Sequence, residues 1–381
     1  MSPGFWLPAI TNILTAEGLS GWVALVFLVP PLASLVSPLI GGALADQRVS
    51  ANRLYVYSSS IGVFALFAAF WCLNHGLHPW WFIGLLGVYS LVSGPSWGLL
   101  TTITLTHLPN GEKQFPLVRL GATFGWISAG LMTSYLLAAD VSPKVGYAAV
   151  AARVCSVFFG WFLPDTPPLG KASSWRSRLG LDGWALMKQR DNAVFFIVTT
   201  LFTIPLTAFY MYAPELLKVL GDKKPTATMA IAQISEILGM LFVGHVILRY
   251  RMKWILLSAL GLSVARFAMS SYAGAVGSIP WHIAGIALHG VCYTFYFITA
   301  QVFLDRRVEP GLRGQAQGLL TISSSAIGPL LGALVCNGLR NNYVTANGQG
   351  WAEFWGILAA MISVCFFIFL IFYQGISPKK V

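Results

Sequence analysis

Two short stretches hold the residues best suited to chemistry. In Ala230–Met240, AIAQISEILGM, Glu236 follows Gln233 by three residues, so on a helix the carboxylate and the amide share one face. In Phe115–Trp126, FPLVRLGATFGW, Arg119, Thr123 and Trp126 are spaced i, i+4, i+7 and again share a face. A carboxylate beside an amide binds hydroxyl groups and can carry a proton. A guanidinium beside a hydroxyl and an indole offers fixed donors next to an aromatic wall. Opposite charges on two helices also invite a pair, Arg119 with Glu236. The competing expectations are a purely structural ion pair and an Arg119 that snorkels to the membrane surface.

These stretches lie in a strongly apolar chain. Of 381 residues, 10% are charged and 56% belong to the set AVILMFWYC, with a mean hydropathy of +0.70. Soluble domains run at about 25% charged and 45–50% apolar. A membrane-spanning helix needs about 20 apolar residues, and about twelve such segments can be traced. They begin with Phe5–Ala16, which is too short to cross, and end with Ala352–Gln374. The expected class is an all-α polytopic membrane protein of two six-helix bundles. Residues 1–163 form the first bundle, 164–192 a linker rich in Pro, Gly, Ser and basic residues, and 193–381 the second bundle with a short tail. Met1-Ser-Pro-Gly-Phe reads as the middle of a helix, so a truncated first helix is expected. Six plus six helices around a central loop is a layout of transporters built from repeated halves.

Charge sets the expected orientation. Most of the 24 basic residues fall in the loops after the second, fourth, sixth, eighth and tenth segments and at Lys379–Lys380. The other side has Lys144, Lys218, Lys223, Lys224 and Arg340. The positive-inside rule then places both termini in the cytoplasm, and the net charge of +11 faces anionic lipid rather than nucleic acid. Glu236 is the one acid among 13 that lies deep inside a segment. Ionisable groups there are costly and usually face a functional cavity. Arg153 and Arg266 also lie within segments but have no evident partner, and a structural role is expected of both.

The six histidines are scattered, and neither HExxH, GxSxG nor a paired-cysteine motif occurs. An enzyme, a metal site and a cofactor are therefore not expected. A membrane sensor is a lesser expectation. The five cysteines all fall inside segments, where apolar packing is expected. Small residues recur four apart at Gly121 and Gly125 and at Gly328 and Gly332, a spacing that lets helices approach closely.

Five stretches together carry a resemblance. FPLVRLGATFGW, LGLDGWALMK, AIAQISE, VARFAMSSYAG and FLDRRVEPGLRGQAQGLL, in that order, resemble the bacterial nucleoside:proton symporter family of the major facilitator superfamily. GGALADQRVSANR (Gly41–Arg53) is similar to that superfamily's Gly–Asp–Arg loop. The resemblance implies uptake of nucleosides by alternating access, coupled to the proton gradient, in a multi-pass, monomeric protein of the bacterial inner membrane. It implies that Arg119, Thr123, Trp126, Gln233 and Glu236 bind substrate. Two departures stand out. Thr207 and Tyr210 occupy the seventh segment where the family carries amide ligands. On the tenth, His289-Gly-Val-Cys-Tyr-Thr-Phe295 has Thr294 in place of the family's acid. Threonine does not titrate, so proton coupling is expected to fall on Glu236 alone. An uncoupled facilitator and a galactoside-like sugar symporter are the alternatives.

The tenth segment, LHGVCYTFYFITAQVF (Leu288–Phe303), is polar for a membrane helix. At α-helical spacing His289, Tyr293 and Tyr296 form one stripe, and Thr294 and Gln301 a second beside it. Both are expected to wall a cavity, with Tyr293 and Thr294 contacting substrate; interhelical hydrogen bonding is the plainer alternative.

Overall fold

The computed structural model describes residues 2–170, 181–345 and 347–375. Lys171, Arg176 and Arg178 of the expected linker and Lys379 and Lys380 of the tail lie outside the described residues. Helices follow one another with short connections. We number them α1 (in two pieces, Ser2–Trp6 and Ile10–Ala16), α2 (Ser20–Gln47), α3 (Ala51–Asn74), α4 (Pro79–His107), α5 (Gly111–Leu131) and α6 (Val145–Gly160). After a 3-10 turn at Leu181–Lys188 come α7 (Arg190–Val219), α8 (Pro225–Arg249), α9 (Met252–Val276), α10 (Ile279–Asp305), α11 (Arg313–Tyr343) and α12 (Trp351–Phe372).

Nine of these, among the described residues, are long and apolar enough to cross a membrane. The exceptions are α1, α5 and α6. α6 is short at 16 residues. α5 is long but carries Gln114, Arg119 and Thr123, of which Arg119 and Thr123 make polar contacts with α10 and α8. Large apolar side chains such as Phe64, Leu136, Phe162 and Ile371 stand exposed, as lipid-facing residues must. Cys155 is also exposed, against expectation, since it sits on the outer face of α6; the other four cysteines are buried.

Prolines shape the helices around the centre. Pro8 falls between the pieces of α1, Pro30 and Pro31 lie in α2, and Pro205 and Pro214 in α7. Each lacks a main-chain donor and loosens its helix locally. Gly277, at φ +67°, ends α9 in the left-handed region that favours glycine.

The two halves meet on both sides of a central cavity. At the end where the linker lies, the Asp46 carboxylate on α2 accepts hydrogen bonds from the main-chain N–H groups of Gly314 (3.3 Å) and Gln315 (3.2 Å) on α11. Gly42 permits this approach, for a Cβ there would lie 2.7 Å from the Gly314 carbonyl oxygen. At the opposite end, Asp140 accepts from Ser134 Oγ (2.9 Å) and from the Thr226 N–H (3.2 Å), while Thr11 Oγ1 donates to the Met211 carbonyl (3.1 Å). The expected symmetry of close-packing glycines holds on one side. Gly328 and Gly332 press against Thr203 and Thr207 of α7, whereas nothing lies within 4 Å of a Cβ at Gly121. In α5 the close approach falls instead at Gly130, against the Thr226 carbonyl at 3.1 Å.

Candidate functional site

Between the halves lies a cavity of about 420 Å³, within the usual range for small-molecule sites. α2 contributes Phe27, Pro30, Pro31 and Ser34, and α4 contributes Gly94, Trp97 and Gly98. From the second half come Thr207 and Tyr210 of α7, His289, Tyr293, Phe297 and Gln301 of α10, and Gln317, Ser324 and Ser325 of α11. Among the described residues, no carboxylate or guanidinium is in this wall. It is aromatic and neutral-polar.

The charged groups stand directly behind it. The Arg119 guanidinium lies 3.6 Å from the centre of the Trp97 ring and donates to the Tyr293 hydroxyl at 3.2 Å. Arg119 thus fixes two aromatic members of the wall, one from each half. Glu236 is buried and accepts a 2.8 Å hydrogen bond from Thr123 Oγ1 on α5. Gln233, also buried, lies one turn before it on the same face. The expected Arg119–Glu236 pair is not formed: Tyr293 takes the cation and Thr123 takes the carboxylate. Trp126 is not in the wall either. Its ring packs 6.0 Å from that of Tyr210, which is.

α10 departs most from its expected pattern. Thr294–Ile298 forms a π-turn, which has more residues per turn than an α-helix. The cavity side therefore reads His289, Tyr293, Phe297, Gln301, every fourth residue, and the α-helical stripe does not persist. Tyr296 is turned into the protein, where its hydroxyl meets Thr199 Oγ1 at 3.0 Å. Thr294 is fully buried, with its Oγ1 3.5 Å from the Glu236 carbonyl oxygen and its Cβ 3.1 Å from where a Cβ at Gly239 would sit. It packs on α8 and is not in the cavity wall. Gln301, expected with Thr294 to wall the cavity, does line it without Thr294, and its Oε1 lacks a protein partner. Gly290 allows α10 to reach α8 here, since any Cβ would collide with the main chain at Ala232 and Glu236.

Arg266 has the partner that the sequence could not name. Its guanidinium donates to Nδ1 of His289, whose ring stacks on Phe209 at 4.0 Å. Arginine can only donate, so the neutral imidazole carries its proton on Nε2. Arg266 Nε and NH2 have no protein partner, and the residue is 2% exposed. Arg153 is a structural contact, donating to Ser93 Oγ at 2.7 Å beside the Tyr89 ring. Trp97, Gln317 and the Ser324–Ser325 pair were missed from sequence. The only signal for Trp97 was its place among Gly94, Pro95 and Gly98, where small residues open a helix to a ligand.

Known proteins share both sequence and architecture. YegT of Escherichia coli (strain K12) is 31% identical over 389 residues, covering 97% of this chain and 90% of that protein. A crystal structure of a single-residue variant of the nucleoside transporter NupG superposes with a TM-score of 0.81 at 25% identity, covering 98% of this chain and 96% of that one. The major facilitator superfamily proton:xylose symporter XylE, at 13% identity and a TM-score of 0.67 over 98% and 95% of the two chains, shares the fold. The family profile described as Nucleoside H+ symporter matches residues 3–377. The protein is thus a member of the nucleoside H+ symporter family, built on the major facilitator fold.

Proposed function

We propose that this membrane transporter takes up nucleosides by alternating access about the central cavity, with Glu236 as the proton-coupling carboxylate. The observation that carries this reading is the arrangement Arg119–Tyr293 and Thr123–Glu236, in which each half supplies one member of each pair next to a neutral aromatic cavity. Trp97, Tyr210 and Tyr293 offer π-faces to a base, while Gln301, Thr207 and His289 Nε2–H offer hydrogen bonds to ribose and base edges. Glu236 and Gln233 reach the ligand when α8 shifts relative to α10 during the cycle, and Trp126 sets the Tyr210 ring. Thr294 acts through packing on α8.

Proton binding at Glu236 removes the charge that Thr123 now stabilises, which couples protonation to the contact between halves. Residues 1–163 and 193–381 move as the two halves, the linker end faces the cytoplasm of a bacterial inner membrane, and the protein acts as a monomer with no cofactor beyond the proton gradient. The test is uptake of labelled uridine and adenosine into proteoliposomes under an imposed pH gradient. Wild type concentrates them, and Glu236→Gln equilibrates them without concentration. Accumulation by Glu236→Gln equal to wild type removes Glu236 from coupling. Robust uptake of free galactosides with none of either nucleoside removes the substrate class.

Thr294 in place of an acid favours a second reading, uncoupled facilitation. It predicts wild-type uptake that ignores the pH gradient.

A further inference from the structure

A second pocket, of about 230 Å³, opens at the linker end between α8, α9, α10 and α12; it shares α10 with the central cavity but none of its lining residues. Its wall includes Tyr250, Arg251 and Lys253, where α8 gives way to α9, together with Thr299 and Val302 of α10 and Tyr373 beyond α12. Among the described residues, two cations line it and no carboxylate does. The Asp191 carboxylate accepts from the main-chain N–H of Gln374, next to Gly375 of the wall, at 3.0 Å.

Three features point to an anion. The pocket lies at the start of the 25-residue α9, whose N-cap, Arg251, makes no side-chain capping bond. The first main-chain N–H groups of a helix lack intrahelical partners and carry the positive end of its dipole. Lys253 is held at the rim because its Nζ donates to the Leu370 carbonyl at 2.8 Å, which leaves two ammonium hydrogens for a ligand. Thr299 lines the pocket at 2% exposure, and its hydroxyl has no hydrogen-bond partner. Several buried threonines, such as Thr199, donate to the carbonyl one turn back, while Thr102 and Thr226 share the unpartnered state of Thr299. Thr299 directly follows the π-turn Thr294–Ile298, and its hydroxyl makes no such bond.

The surroundings point to lipid as the source of that anion. The pocket sits where the apolar helices α8, α9 and α12 begin or end, and the ends of spanning helices are where headgroups meet a membrane protein. Leu248, Tyr250, Trp254 and Phe372 are exposed around it, in the mix of aromatic and apolar residues that meets the headgroup and upper acyl region. Basic pockets between helices on this side of a membrane protein suit anionic headgroups.

We propose that this pocket holds the phosphate of an anionic phospholipid, with Arg251, Lys253 and the start of α9 on its oxygens and the Thr299 hydroxyl as the deepest donor. The test is native mass spectrometry of the detergent-solubilised full chain with added phosphatidylglycerol or phosphatidylcholine. Wild type retains phosphatidylglycerol in preference. Arg251→Gln/Lys253→Gln weakens retention by about tenfold or more, and Thr299→Val by about threefold. Equal retention of the two lipids by wild type overturns the proposal, as does unchanged phosphatidylglycerol retention in both variants. Displacement of the lipid by millimolar inorganic phosphate or glycerol 3-phosphate identifies a free-anion site and overturns the lipid assignment. If the double variant does not fold, Thr299→Val and the wild-type lipid comparison still decide.

Discussion

Thr123 on α5 donates to the Glu236 carboxylate on α8 at 2.8 Å, so this buried acid is satisfied from the opposite half and not by a cation. A buried carboxylate that loses a donor costs about 1–3 kcal/mol, more when it is ionised. Thr123→Val is therefore expected to lower the unfolding temperature in detergent and to weaken proton-driven accumulation, whereas Thr123→Ser, which keeps the hydroxyl, stays close to wild type. Thermal unfolding and uptake measured on both variants check this. A Thr123→Val protein as stable and as active as wild type breaks the link.

Arg119 covers Trp97 with its planar face and donates to Tyr293 with its edge. Lysine can supply the charge but neither the plane nor the fixed fork of donors. Arg119→Lys is expected to raise the KM for uridine by about tenfold, equivalent to losing one charge-assisted hydrogen bond and part of a cation–π contact. Tyr293→Phe removes the bond but keeps the ring, so its effect on KM is smaller. Uptake kinetics across a range of uridine concentrations separate the two.

The fold and the pairing of α5 with α8 were legible because α-helical periodicity holds through both stretches. Arg119, Thr123, Gln233 and Glu236 share the faces that spacing assigned them. The site's other wall was legible only in part: Thr207, Tyr210, His289, Tyr293 and Gln301 line it, whereas Thr294 and Tyr296 do not. The π-turn at Thr294–Ile298 leaves no mark in residue types, yet Phe297 lines the cavity after it and Tyr296 does not. The Arg266–His289 contact depends on the relative rotation of α9 and α10, which no periodicity within one helix fixes. Trp97 was hidden for a third reason: a single tryptophan in an apolar helix is as apt for lipid as for a ligand.

That π-turn makes a pair of substitutions discriminating. Thr294 contributes one long contact to a carbonyl, so Thr294→Val is expected to cost under about 1 kcal/mol of stability and to leave nucleoside affinity unchanged. Gln301 offers an unpartnered Oε1 to the cavity, so Gln301→Ala is expected to weaken uridine binding by about threefold to tenfold. Binding measured by calorimetry on both variants is decisive. The reverse ranking means that α10 presents its α-helical stripe in the binding-competent state.

Asp46 joins α2 to α11 at the linker end through two main-chain N–H groups, at 3.3 and 3.2 Å. These bonds exist only while the halves are together at that end, because donors and acceptor belong to different halves. Their net contribution therefore biases the transport equilibrium more than it affects the fold. Hydrogen bonds to a charged group contribute about 1.5–3 kcal/mol each, and 1.4 kcal/mol is tenfold in a population. Asp46→Ala is thus expected to shift the chain at least about tenfold toward conformations open at the linker end. Asp46→Asn, which keeps one acceptor oxygen, is expected to shift it less. Spin labels on the linker ends of α2 and α11 read the change as a longer distance, and net uptake falls because the return step is disfavoured. An unchanged distance distribution in Asp46→Ala means that the glycine contact of Gly42 with Gly314, and not the carboxylate, holds this end closed.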